Sequence, residues 1–170
     1  MPRDPKRPDG FNDYEQKLLR TIDEFAWQVT SVIPRKGDEG HAWSYSTGIF
    51  YHYRHPEIIV FNEASDLRHS MINTIGKRVR QGEKFEPGRV YAEIIDGYDV
   101  QFRPVDVTHY QDWVNSSIWF YDWDPASFPM LQCFYPDMNG KFPWDAGCEQ
   151  WAIDAQPLLY EPKETGKKQQ

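Results

Sequence analysis

Residues Ile58-Ile59-Val60-Phe61 form an unbroken apolar run of β-branched and aromatic side chains. A strand with one wet face alternates apolar and polar residues, whereas a strand covered on both faces does not. The run therefore predicts a central strand, and the rest of the chain must supply its neighbours and the helices that cover it.

Two segments offer long helices. From about Asp13 to Phe25, Tyr14, Leu18, Leu19, Ile22 and Phe25 fall on one face at helical spacing, and Asn12 with Glu15 reads as a capping pair. From about Ser65 to Gln81, Leu67, Met71, Ile75 and Val79 make a second stripe, with Gly82 as its stop. Its outer face is basic: residues 65–90 hold six Lys or Arg against three Asp or Glu. Thr108 reads as the cap of a third helix through about Phe120, with Tyr110, Trp113, Val114 and Ile118 inward.

Strand signals fill the intervals. Val29–Ile33 ends at Pro34 and a polar loop, and Trp43, Tyr45, Thr47 and Ile49 alternate with Ser44, Ser46, Gly48 and Phe50. Val90–Ile95 and Val100–Val105 read as a hairpin about Asp96-Gly97. Met130–Tyr135 reads as a last long strand, which Asn139-Gly140 turns back towards Phe142. This order predicts a single α+β domain over residues 11–160, a mainly antiparallel sheet with about three helices packed against it. Residues 1–10 and 161–170 are polar and charged and read as flexible tails.

Composition narrows the function. The chain of 170 residues carries a net charge of −7 and is 16% aromatic. Each terminal ten residues is +1, so residues 11–160 carry −9. An acidic body repels phosphate backbones, which argues against nucleic-acid binding and for a basic protein partner or a cationic ligand. No apolar run approaches the ~20 residues of a membrane span, and Met1–Pro5 lacks the apolar stretch of a secretory signal. With only Cys133 and Cys148 there is no disulfide framework, so a cytoplasmic location is expected.

No complete catalytic set is visible. His52 and His55 flank an Arg and a Tyr at a spacing that resembles metal ligands, but further ligands are missing, so no metal and no cofactor are expected. No Gly-x-Ser-x-Gly and no Gly-rich phosphate loop occurs. Cys133 sits in an apolar strand, and Cys148 lies beside Asp145 and Glu149, whose charge disfavours a thiolate.

Two segments stand out instead. Tyr135–Asp145 combines a turn signal, two prolines and a Phe-Pro-Trp-Asp run, which leaves the backbone little freedom. Residues 119–154 crowd aromatic side chains among six carboxylates and one lysine, a net −5. Aromatic faces beside carboxylates suit a cation or a partner's Arg and Lys side chains.

Tyr45-Ser46-Thr47-Gly48-Ile49, His55-Pro56-Glu57-Ile58-Ile59-Val60-Phe61, Pro136-Asp137-Met138-Asn139-Gly140-Lys141-Phe142-Pro143-Trp144-Asp145 and Gln156-Pro157-Leu158-Leu159 occur in that order. Over about Trp27–Leu159 the chain resembles a bacterial family catalogued as domain of unknown function 4262. The resemblance implies a compact single domain in which His55-Pro56-Glu57 and Phe142-Pro143-Trp144-Asp145 are family features. It implies no reaction.

Three readings follow. In the first, the chain is a non-catalytic binding protein of the immunity or inhibitor type, whose acidic aromatic surface, with Trp119, Trp123 and Asp137, engages a basic partner. In the second, Tyr45, His55, Glu57, Trp144 and Asp145 converge on a small-molecule pocket, with His55 as the acid-base group. In the third, His55 and Asp145 only satisfy buried backbone groups.

Overall fold

A computed structural model of the chain describes residues 12–164. One six-stranded sheet organises them: β1 (Gln28–Val32), β2 (Trp43–Thr47), β3 (Glu57–Phe61), β4 (Val90–Ile95), β5 (Tyr98–Pro104) and β6 (Met130–Phe134). Their spatial order is β1-β2-β3-β6-β5-β4. The sheet is mixed: β3 and β6 run parallel, while the other neighbours are antiparallel. As the apolar run predicts, β3 is central and every residue in it is buried.

The pleat sends alternate β3 residues into two cores. Ile58 and Val60 pack with Met71, Ile72, Ile75 and Val79 of α3 (Ser65–Arg80). Ile59 and Phe61 pack with Leu18, Leu19 and Ile22 of α1 (Asp13–Phe25) and with Tyr110, Val114 and Ile118. The result is an α+β domain with helices on both faces of one sheet. Asn12 and Glu15 exchange side-chain and backbone bonds at the start of α1, the expected capping box.

Several local expectations are corrected. The stripe of α1 is narrower than its spacing suggests: Tyr14 and Phe25 are 51% and 60% exposed and overhang a groove beside β1. The alternation through Ile49 stops at Thr47, because Gly48 takes φ 120° and the chain enters a short helix, α2 (Ile49–Tyr53). A Cβ on Gly48 would lie 2.4 Å from the Ala26 carbonyl oxygen, so only glycine fits there. The single helix expected from Thr108 is interrupted: a 3-10 turn (Val107–His109) leads to α4 (Tyr110–Trp113) and α5 (Asn115–Phe120), broken where Val114 adopts ψ 49°.

Among the described residues no strand follows Asn139-Gly140, where the sequence predicts a return to the sheet. Asp137 instead accepts the backbone N–H groups of Asn139, Lys141 and Glu149, so these donors are held by one side chain and not by a neighbouring strand. The chain then forms α6 (Gln150–Ala155). Of the segments read as tails, residues 1–10 and 165–170 lie outside the described residues. In the second segment, the Glu161 carbonyl bonds His109 and the Lys163 N–H donates to Thr108.

Candidate functional site

Glu57 is fully buried at the start of β3, and its carboxylate faces the first turn of α2. The N–H groups of Gly48, Ile49 and Phe50 donate to it at 2.8–3.2 Å. The Ser46 hydroxyl donates to Oε1 at 2.6 Å and the Tyr121 hydroxyl to Oε2 at 2.5 Å. Five donors thus close around one carboxylate, which takes the orphan N–H groups of a helix start. Burial pushes the carboxyl above its ordinary range, and the donors from Ser46, Tyr121, Gly48 and Phe50 pull it back.

The network extends outward. Ser46 Oγ accepts the Ile58 N–H, and Tyr121 accepts the Tyr51 N–H. The Ser117 hydroxyl donates to the Ser46 carbonyl and pairs with Thr47. Tyr45 is buried beside this network and its hydroxyl accepts the Ser116 N–H. None of these groups is presented to solvent, so the arrangement ties α2, α5 and the sheet together.

His55 is equally enclosed. One ring nitrogen, Nε2, accepts the Phe85 N–H at 3.1 Å, which requires the other, Nδ1, to carry the proton and donate to the Pro56 carbonyl at 2.9 Å. Burial lowers its pKa below the ordinary 6.5, with the Pro56 bond opposing and the Lys84 charge adding. Both nitrogens serve the backbone in a neutral ring. His52, exposed on α2, bonds the Ile22 carbonyl instead. Among the described residues no three His, Cys, Asp or Glu side chains come together to hold a metal ion.

The Phe-Pro-Trp-Asp motif lies elsewhere. Trp144 stacks on Phe142, meets Phe134 and Tyr160 edge-on and carries the Arg103 guanidinium 3.6 Å above its ring, and the same guanidinium lies 4.5 Å from the Tyr160 ring. Asp145 accepts the Phe142 N–H and so closes its own turn. Burial pushes the Asp137 carboxyl up, but three backbone donors outweigh it and hold the group below the ordinary range. In the parallel register Glu57 sits beside Met130, the first residue of β6, whereas Trp144 packs on Phe134, the last. Four residues of strand, about 13 Å, separate the two motifs. The convergence that a shared pocket requires is not formed.

Of the remaining candidates, Trp119 is half-buried, and Trp123 is 66% exposed. The turn that holds Trp123 follows α5: the Trp123 N–H bonds the Ile118 carbonyl and the Asp122 N–H bonds that of Trp119, a Schellman closure. Asp122 and Trp123 both take positive φ, 62° and 63°, conformations that bulky side chains avoid.

Sequence reasoning missed Tyr121 and Ser46 as partners of Glu57, and it missed Arg68. This arginine is wholly buried and, among the described residues, donates to the Ser44 and Ser31 hydroxyls and the Asn62 carbonyl. Its signal was present: Arg68 stands four residues before Ile72, in line with the apolar stripe of α3. A groove of about 1000 Å3 between α1, β1 and α3 is lined by His52 but by none of the residues named from sequence as binding candidates.

A family model described as a domain of unknown function (DUF4262) matches residues 21–149, so the chain belongs to that family. No curated protein and no solved structure matches it. No helix among the described residues is long and apolar enough to cross a membrane.

Proposed function

We propose that this member of the family is a non-catalytic binding protein that engages a basic protein partner, in the manner of an immunity or inhibitor protein. One observation carries the reading: the family's polar motifs are occupied by the chain's own backbone, while Trp123 is held outward on a strained turn between Asp122 and Asp124. Left-handed backbone at a non-glycine residue costs roughly 1–2 kcal/mol. Two such residues in succession persist only because the Schellman bonds enforce them, and their effect is to project an indole. A large rigid aromatic flanked by carboxylates is the kind of group that anchors interfaces and receives Arg or Lys side chains. The net −5 of residues 119–154 adds long-range attraction for a basic surface.

The test compares the wild-type chain with Trp123→Ala as baits in a lysate of the source organism, at low and at physiological salt. A basic protein retained by the wild type and lost by the variant, with unchanged thermal stability, supports the reading. Recovery of the same proteins by both baits, or of no basic protein at either salt, counts against it.

A further inference from the structure

The two edges of the sheet are built differently. The β4 edge is irregular: its register with β5 slips between Tyr91 and Ile95, and Glu93 takes φ 66°. Bulges and edge charges are devices that keep other strands away. The β1 edge has neither. Gln28-Val29-Thr30-Ser31-Val32 contains no charge, proline or glycine, and all five residues pair with β2 in continuous register. A regular, neutral edge offers its outer N–H and C=O groups as a template for another strand.

That edge lies in the groove of about 1000 Å3. On one side are Tyr14, Lys17 and Thr21 of α1; on the other, His69, Asn73, Lys77 and Arg80 of α3. The α3 residues recur at intervals of four, four and three, so they form one ridge. From His69 to Arg80 the helix rises about 16 Å, enough to span the roughly 13 Å from the first to the last residue of a five-residue strand. The ridge is therefore long enough to line β1 from end to end.

The groove also reverses the sign of the chain. Its lining carries Lys17, Lys77 and Arg80 against Asp23 and Glu24, with two histidines besides, in a protein of net charge −7. Beneath it Arg68, wholly buried, donates to Ser31 of β1 and has only neutral acceptors among the described residues. A buried cation without a carboxylate leaves positive potential uncompensated at the base of the site.

We propose that the β1 edge binds an extended acidic segment of another protein, which joins the sheet as a seventh strand. Its backbone pairs with β1, and alternate side chains, carboxylates at every second position, face Lys77, Arg80 and His69. The remaining side chains face Tyr14 and Thr21. A second copy of this chain is a poor occupant, because pairing two β1 edges would bring like-charged α3 ridges together. This surface is separate from the Trp123 turn, and either proposal can fail without the other.

The probe is a fluorescein-labelled peptide, Thr-Val-Glu-Thr-Glu-Val-Thr, titrated with the intact chain and followed by anisotropy. Controls are the same peptide with Lys for Glu, and a version N-methylated at every backbone amide, which can donate no hydrogen bond to β1. Saturable binding of the acidic peptide is expected, weakened about tenfold or more by Lys77→Glu in a variant that melts like the wild type. Neither control peptide should bind, and amide exchange at residues 28–32 should slow in the complex. The proposal is overturned if no saturation occurs by about 1 mM peptide, if the Lys or the N-methylated peptide binds as well, or if sedimentation shows a wild-type dimer with β1 already protected.

Discussion

Replacing Glu57 should unfold the chain sooner than it removes any activity. In Glu57→Ala the N–H groups of Gly48, Ile49 and Phe50 lose their acceptor within a buried site. Each buried, unsatisfied donor costs roughly 1–3 kcal/mol, so three amount to about 3–9 kcal/mol. Whole domains are stable by only about 5–15 kcal/mol, which places the alanine variant at the edge of folding. Glu57→Gln is the more informative change. Its oxygen can keep Ser46 and Ile49, but its amide nitrogen then opposes the N–H groups of Gly48 and Phe50. Two donors without an acceptor predict a loss of about 2–6 kcal/mol. Tyr121 can rotate its hydroxyl to accept, so it adds little. Urea unfolding followed by tryptophan fluorescence measures this, with an unchanged dependence on denaturant as the check for two-state behaviour. A glutamine variant within about 1 kcal/mol of wild type would refute a capping role for the carboxylate.

Three further outcomes follow from the same geometry. The His55 ring is neutral in the fold with its pKa below 6.5, so its contribution is complete above about pH 6.5 and is lost as pH falls from there towards the folded value. The stability difference between wild type and His55→Gln, from melting curves, should therefore shrink between pH 7.5 and 5; a constant difference would contradict the tautomer assigned. A Cβ on Gly76 would lie 2.4–2.8 Å from the Trp27 indole, so Gly76→Ala should cost about 1–3 kcal/mol in urea unfolding despite alanine's better helix propensity. Asp122→Gly should relieve the left-handed backbone and raise stability by up to about 1 kcal/mol, read as a higher melting temperature; a lower one would mean that the aspartate side chain stabilises the turn.

What the sequence reveals here depends on how far apart the partners lie. The central position of β3, both long helices, the capping box and the β4–β5 hairpin rest on neighbours within one segment, and each is legible from local pattern. The parallel β3–β6 pair is not, because Glu57 meets Met130, 73 residues later in the chain. For the same reason Glu57 and His55 read as acid-base chemistry in sequence. Their real partners are a helix start, a distant tyrosine and the Phe85 N–H, none marked by spacing. Trp144 and Asp145 read in sequence as walls of a small-molecule pocket, yet Arg103 covers one and a local turn engages the other. Trp123 was named in sequence for its composition. Its significance comes from two left-handed residues, which no residue type announces when neither is glycine.

The sharpest check on the division between framework motifs and binding surface is amide hydrogen exchange on the chain bound to its captured partner. Protection should appear over residues 119–127, around the Trp123 turn, while Gly48–Phe50 and the Phe85 amide exchange at the same slow rate with or without partner. New protection centred on His55-Pro56-Glu57 or on Phe142–Asp145, with none at the Trp123 turn, would place the function in the motifs and contradict the account.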